Sequence, residues 1–163
     1  MNKKIILILI IIILLIVIGL FYIQNNQITE SKGEDTMNEN INNPVETEET
    51  SINISINGID YIATLENNKT ANEFINRLPF TITMDELNGN EKYYYFDESF
   101  PANSTNIGQI EAGDIMLYGD DCLVIFYETF TTSYAYTKIG KIDNPETLAE
   151  TVGSNSVEVS FNK

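Results

Sequence analysis

Apolar residues along the chain form one unbroken run, then nearly vanish, then return in short alternating stretches. The run is Ile5 to Ile23, 19 residues without a charge and almost all Ile, Leu or Val. At 1.5 Å per residue it reaches about 30 Å, the thickness of the hydrocarbon core of a bilayer. Having no polar face, it does not read as a helix packed in a soluble core. Lys3 and Lys4 precede it, and no small-x-small exit appears around Gly19 to Gln24, so residues 1–23 predict an uncleaved signal anchor. By the positive-inside rule the N-terminus is expected in the cytoplasm and the rest of this single-pass cell-membrane protein outside.

From residue 24 to 50 the composition turns to Asn, Glu, Thr and Ser, with Lys32 the only cation. Such a segment cannot bury enough apolar surface to order itself, and it predicts a disordered acidic linker. As a flexible coil it would hold the C-terminal part of the chain on the order of 30 Å from the bilayer.

Residues 51–163 then read as one domain. Ser51 to Asn57 alternates, with Ile52, Ile54 and Ile56 on one face, and Asn57-Gly58 is a hairpin turn into a strand over Tyr61 to Glu66. Thr70-Ala71-Asn72-Glu73 fits a capping box, and Ala71, Phe74, Ile75 and Leu78 recur at helical spacing until Pro79. This helix is expected to cover one end of the sheet. Strands are predicted over Phe80 to Leu87 and Glu91 to Phe96, joined by Asn88-Gly89-Asn90, and a long loop over Asp97 to Gly113. Asp114 to Tyr118 and Cys122 to Tyr127 flank the turn Gly119-Asp120-Asp121, and Tyr134 to Ile142 is a further strand. Cys122 to Tyr127 is apolar without alternation, so it should be covered on both faces, as a barrel strand is when helices pack outside it. Asp143-Asn144-Pro145-Glu146 starts a second helix that Gly153 stops, and Ser156 to Phe161 closes the chain. The count of eight strands and two short helices is mainly β: a closed antiparallel barrel or a sandwich with helical caps.

Composition narrows the chemistry. The chain carries 24 Asp and Glu against nine Lys and Arg, a net charge of −15, which argues against nucleic acid. With no histidine, neither a Ser-His-Asp or Cys-His apparatus nor a His-ligated zinc or haem site can be built. The single Cys122 cannot form an internal disulfide, and it reads either as a small buried hydrophobe or as a thiol in need of an electropositive setting. Acidic pairs at Asp97-Glu98 and Asp120-Asp121 lack the spacing of a calcium loop, so no metal and no cofactor is expected. Glu91 and Glu111 are candidates for an acid and base pair whose separation the sequence leaves open. Asn53, Asn68 and Asn103 begin Asn-x-Ser/Thr matches that matter only in a glycosylating host.

The stretches LNGNEKYYYF at Leu87 to Phe96, IEAGDIMLYGDDCLVIFYETFTTSYAYTKIGKI at Ile110 to Ile142, and NPETLAETVG immediately after Asp143 resemble the small bacterial cyclophilin-like domain family. The resemblance runs from Ile52 to Phe161 and implies a cyclophilin-type eight-stranded barrel closed by two helices. True cyclophilins twist an X-Pro amide in an apolar groove, with an arginine from a Phe-His-Arg-Val strand as support. The comparable strand here, Tyr93-Tyr94-Tyr95-Phe96, has none, and the glutamine of the Gly-Ser-Gln-Phe-Phe segment is missing near Asp120 to Tyr127. Arg77, the only arginine, falls on the first helix and reads as a surface or helix-end residue.

Two functions are expected from these readings. The first is a non-catalytic, extracytoplasmic module whose aromatic set, Tyr93, Tyr95, Phe126, Tyr134 and Tyr136, lines a groove for a peptide or small molecule. The same five residues also suit core packing and cross-strand pairing. The second is a weak peptidyl-prolyl isomerase without the usual arginine. The domain is expected to be a monomer whose partners are the membrane, through residues 1–23, and that ligand.

Overall fold

The computed structural model describes residues 50–163. The expected anchor and nearly all of the linker lie outside them, and no helix among the described residues is long and apolar enough to cross a membrane. In chain order the elements are β1 (Thr50–Ile56), β2 (Ile59–Leu65), α1 (Lys69–Asn76), β3 (Phe80–Leu87), β4 (Glu91–Tyr95), β5 (Thr105–Asn106), β6 (Gln109–Ile110), β7 (Asp114–Tyr118), β8 (Cys122–Phe126), β9 (Phe130–Thr131), β10 (Ala135–Ile142), α2 (Leu148–Val152) and β11 (Val157–Asn162).

Eight of these strands form a ring of antiparallel neighbours, β2-β1-β11-β3-β4-β8-β7-β10, and β10 pairs back onto β2. The closure removes both sheet edges and selects the barrel over the sandwich. The hairpin turns form where left-handed backbone is available: Asn57 and Gly58 have φ of 51° and 80°, and Asn88 and Gly89 have 58° and 69°. The ring closes at Gly140, which faces Leu65 of β2 on one side and Ile115 of β7 on the other, next to a register shift in β10. A Cβ there would stand 2.5 Å from the Thr64 carbonyl oxygen, so strand approach at this point demands glycine.

Alternating residues fill the interior. Ile52, Ile54 and Ile56 of β1 meet Ala63, Leu65, Met84, Val159 and Phe161 in one core. The two helices seal opposite ends. Phe74 of α1 stacks edge-on against Phe80 and Phe161, where β3 begins. Leu148 and Val152 of α2 join the core, and Gly153 beyond them meets Lys92 at the far end of β3 and β4. The Tyr61 hydroxyl ties α2 down through Thr147 at 3.1 Å and Thr151 at 2.7 Å.

Three expectations change. The N-cap of α1 is Asn68 rather than Thr70: its side chain accepts from the Ala71 N–H at 2.9 Å, while the Thr70 hydroxyl donates to the Pro101 carbonyl. All of β8 is buried, but its outer cover is not helical. A second apolar cluster lies there instead, containing Ile110, Met116, Cys122, Val124, Phe126 and Tyr136, with Ile107 and Phe130 packed against it. The expected loop over Asp97 to Gly113 supplies part of that cover, because its β5 pairs with β10 and its β6 with β9. Two-residue strands leave no alternation to read, which is why the sequence pattern missed them.

Candidate functional site

Period-two geometry sends Tyr94 and Phe96 toward the interior and Tyr93 and Tyr95 to the outer face of β4. Cys122, Val124 and Phe126 of β8 share that outer face, as do Met116 of β7 and Tyr136 of β10. The five expected aromatic residues therefore gather on one side of the barrel, in two different states. Phe126 is fully buried and Tyr136 is 5 % exposed, stacked edge-on at 5.4 Å, so these two are packing residues. Burial pushes the Tyr136 phenol up to about 12. Tyr93 is half-buried and meets Tyr95 at 5.8 Å. Tyr95 and Tyr134 stand in solvent, 57 % and 61 % exposed.

Sequence reading missed Tyr118, which is 44 % exposed and bridges the set by stacking on both Tyr134 and Tyr136, at 6.1 Å and 5.5 Å. The signal was available, since Tyr118 lies two residues from Met116 and so on the same face. Cys122 is the cross-strand partner of both Tyr95 and Tyr118 and lies beneath this rim. Burial pushes its thiol up to about 11, with the Asp121 and Glu91 charges adding to the shift against a hydrogen bond with Tyr95. The group is a neutral thiol at neutral pH and not an activated nucleophile.

The candidate acids differ in their surroundings. Glu111 forms an ion pair with Lys141, which holds its carboxyl below the usual range. Glu91 is half-buried beside the outer cluster, and burial, then the charge of Glu86, raise it. Asp120 and Asp121 lie in the β7–β8 turn, where their main-chain carbonyls accept from the Phe100 and Phe96 N–H groups. Among the described residues no three metal-ligating side chains come together.

Arg77 is a helix-end residue with several tasks. It caps α1, bonds Glu73 at 3.0 Å, donates to the carbonyls of Glu98 and Ser99, and lies 3.6 Å over the Phe100 ring. It holds the segment after β4 in place.

Two further features escaped sequence reading. Lys92 is fully buried at the α2 end of the barrel, bonded to Glu86 at 2.5 Å and to the carbonyls of Gly153 and Asn155 at 2.8 and 2.7 Å. Glu86 also accepts from the Tyr127 hydroxyl and the Gly89 N–H, each at 2.8 Å. A cleft of about 680 Å³ opens between the start of α1, residues 101–107 and β10, with Lys69 and Lys138 on its walls. No local motif marks either one, because each joins residues far apart in the chain.

Among solved structures, the barrel resembles McbB in complex with tryptophan, with a TM-score of 0.54 at 15 % identity, over 69 % of this chain and 44 % of that one. It also resembles the hypothetical protein AF2241 from Archaeoglobus fulgidus, with a TM-score of 0.49 at 16 % identity, over 70 % of this chain and 94 % of that one. The chain thus spans less than half the length of McbB, and at this identity the likeness is one of fold. No curated protein matches the chain. The sequence pattern of the Cyclophilin-like family matches residues 54–162, from the first strand of the ring to its last, and the chain belongs to that family.

Proposed function

We propose that this is a non-catalytic binding module, held outside the cell membrane by residues 1–23 and taking a peptide or small molecule on its aromatic face. The observation that carries the reading is the exposed pair Tyr118 and Tyr134, whose rings meet at 6.1 Å, with exposed Tyr95 across Cys122 from Tyr118, above a buried apolar cluster. Tyrosines offer large, stiff, amphipathic contact area, the composition favoured where proteins meet ligands. The groups that border the rim are poor catalysts: a thiol raised by burial, the Tyr136 phenol raised by burial, and the Tyr95 phenol raised by the neighbouring Cys122. The only arginine is committed to Glu73 and the 98–100 segment. The anchor reading rests on the charge-free run of Ile5 to Ile23 after Lys3 and Lys4.

The test is selection of a displayed random-peptide library against the full-length chain and against its Tyr95→Ala, Tyr118→Ala, Tyr134→Ala triple variant. A consensus enriched on the parent and lost on the variant supports the reading. Enrichment on neither, or equally on both, overturns the peptide reading. A protease-coupled proline-peptide assay is expected to give the uncatalysed rate, and acceleration would put isomerisation in its place. Protease added to intact cells is expected to digest residues 50–163, and protection of that domain would overturn its placement outside.

A further inference from the structure

The cleft between α1, residues 101–107 and β10 stands apart from the tyrosine rim, and its charge is unlike that of the rest of the molecule. The chain is strongly acidic, yet no carboxylate lines this cleft, whereas two of its few cations, Lys69 and Lys138, do. The ion pairs among the described residues use Arg77, Lys92 and Lys141, and neither cleft lysine takes part in one. Lys138 is within electrostatic reach of Glu111, but that carboxylate is already bonded to Lys141.

A specific contact ties the start of α1 to β10 beside the cleft. Asn68 precedes Lys69, caps α1 through its carbonyl oxygen, and donates its side-chain amide to the main-chain oxygen of Lys138 at 2.8 Å. One side chain thus joins the helix start that carries Lys69 to the strand that carries Lys138. The other walls come from a segment that is itself held. The Thr70 hydroxyl binds the Pro101 carbonyl at 2.5 Å, and the Asn103 N–H donates to the Thr137 hydroxyl at 2.9 Å. Pro101, Ala102 and Ile107 give those walls an apolar character.

We propose that this cleft binds a small amphiphilic carboxylate, its head between Lys69 and Lys138 and its hydrocarbon body against Pro101, Ala102 and Ile107. Two lysines supply compact point charges for one anionic head, and the apolar walls beside them favour a carboxylate carrying an apolar tail over bare phosphate. Local positive charge on an acidic protein also draws an anion to this opening. The proposal does not depend on the tyrosine rim.

Calorimetry on the full-length chain in a zwitterionic detergent tests it, with hexanoate, its neutral amide hexanamide, and inorganic phosphate as probes. Hexanoate is expected to bind with a Kd of about 1 mM or tighter, more weakly as salt rises, and both other probes more weakly than hexanoate. Lys69→Gln and Lys138→Gln should each weaken hexanoate roughly fivefold, as removal of a partly exposed charge does. Ala102→Phe, which fills the cleft from an exposed position, should abolish binding, and Tyr134→Ala should leave it unchanged. Equal binding of hexanoate and hexanamide, tighter binding of phosphate, no heat with any probe, or insensitivity to the lysine and Ala102 variants would each overturn the proposal.

Discussion

Lys92 shows what one residue does to the closed end of the barrel. A lysine with no exposed surface is stable only when every proton has an acceptor, and Glu86, Gly153 and Asn155 supply three. The ammonium thereby sews the β3–β4 hairpin to the turn after α2. Burial raises the Glu86 carboxyl, but the hydrogen bonds from Lys92, Tyr127 and Gly89 outweigh it and leave the group below its ordinary value of 4.5. Lys92→Met should cost about 3 kcal/mol at neutral pH, the scale for breaking a buried pair, read as a lower urea midpoint. The pH dependence has a definite sign. A depressed carboxylate contributes stability that is present above its unfolded value near 4.5 and lost as pH falls through its lower folded value. The gap between parent and variant should therefore narrow below about pH 4.5, and a constant gap would show that the lost bonds are not coupled to Glu86. Glu91, raised chiefly by burial, works in the other direction: its contribution is fully present below 4.5 and is lost as pH rises through its raised folded value.

Among the elements, α1 most clearly joins local sequence to the cleft. Its eight residues are too few to be stable alone, so its cap and its packed face decide whether it forms. The Thr70-x-x-Glu73 pattern suggested a helix start two residues late. Asn68 wins the cap because its side chain meets both the Ala71 N–H and the Lys138 carbonyl, and Thr70, 2 % exposed, is already used by Pro101. Asn68→Ala should cost about 1–2 kcal/mol, more than an isolated cap because the tie to β10 is lost as well. Amide exchange checks it: the first turn of α1 should lose protection before β1 and β11 do. Asn68→Asp, which keeps the cap acceptor but not the amide donor, should recover part of the loss. If Asp and Ala behave alike, the cap bond contributes nothing and the tie to β10 accounts for the whole effect.

At the scale of the whole molecule, the barrel was largely legible because several of its strands alternate and two of its hairpins carry Asn-Gly. Ile52, Ile54 and Ile56 announce one inward face, and Phe80 to Leu87 and Asp114 to Tyr118 fold over the residues the pattern marks. The site was only half legible. Sequence grouped Tyr95 and Tyr134 with Phe126 and Tyr136, but their separation into an exposed rim and a buried cluster depends on cover from β5, β6 and β9, too short to carry a period. The cleft was out of reach, since Asn68 and Lys138 meet only after the ring closes. Closure itself depends on β10 lying against β2 and β7 at Gly140, where an added methyl would meet both the Thr64 oxygen at 2.5 Å and the Leu65 Cδ2 at 2.6 Å. Backbone oxygen cannot turn aside as a side chain does, so β10 and β2 must part. Gly140→Ala should destabilise the barrel by about 1–3 kcal/mol, the range for overpacking. Its signature in amide exchange is local: the rungs joining Gly140 to Leu65 and Ile142 to Ala63 should open first, while the β1–β11 rungs keep their protection. Uniform loss across all rungs would instead mean that the ring opens only as a unit, with β10 no weaker a seam than its neighbours.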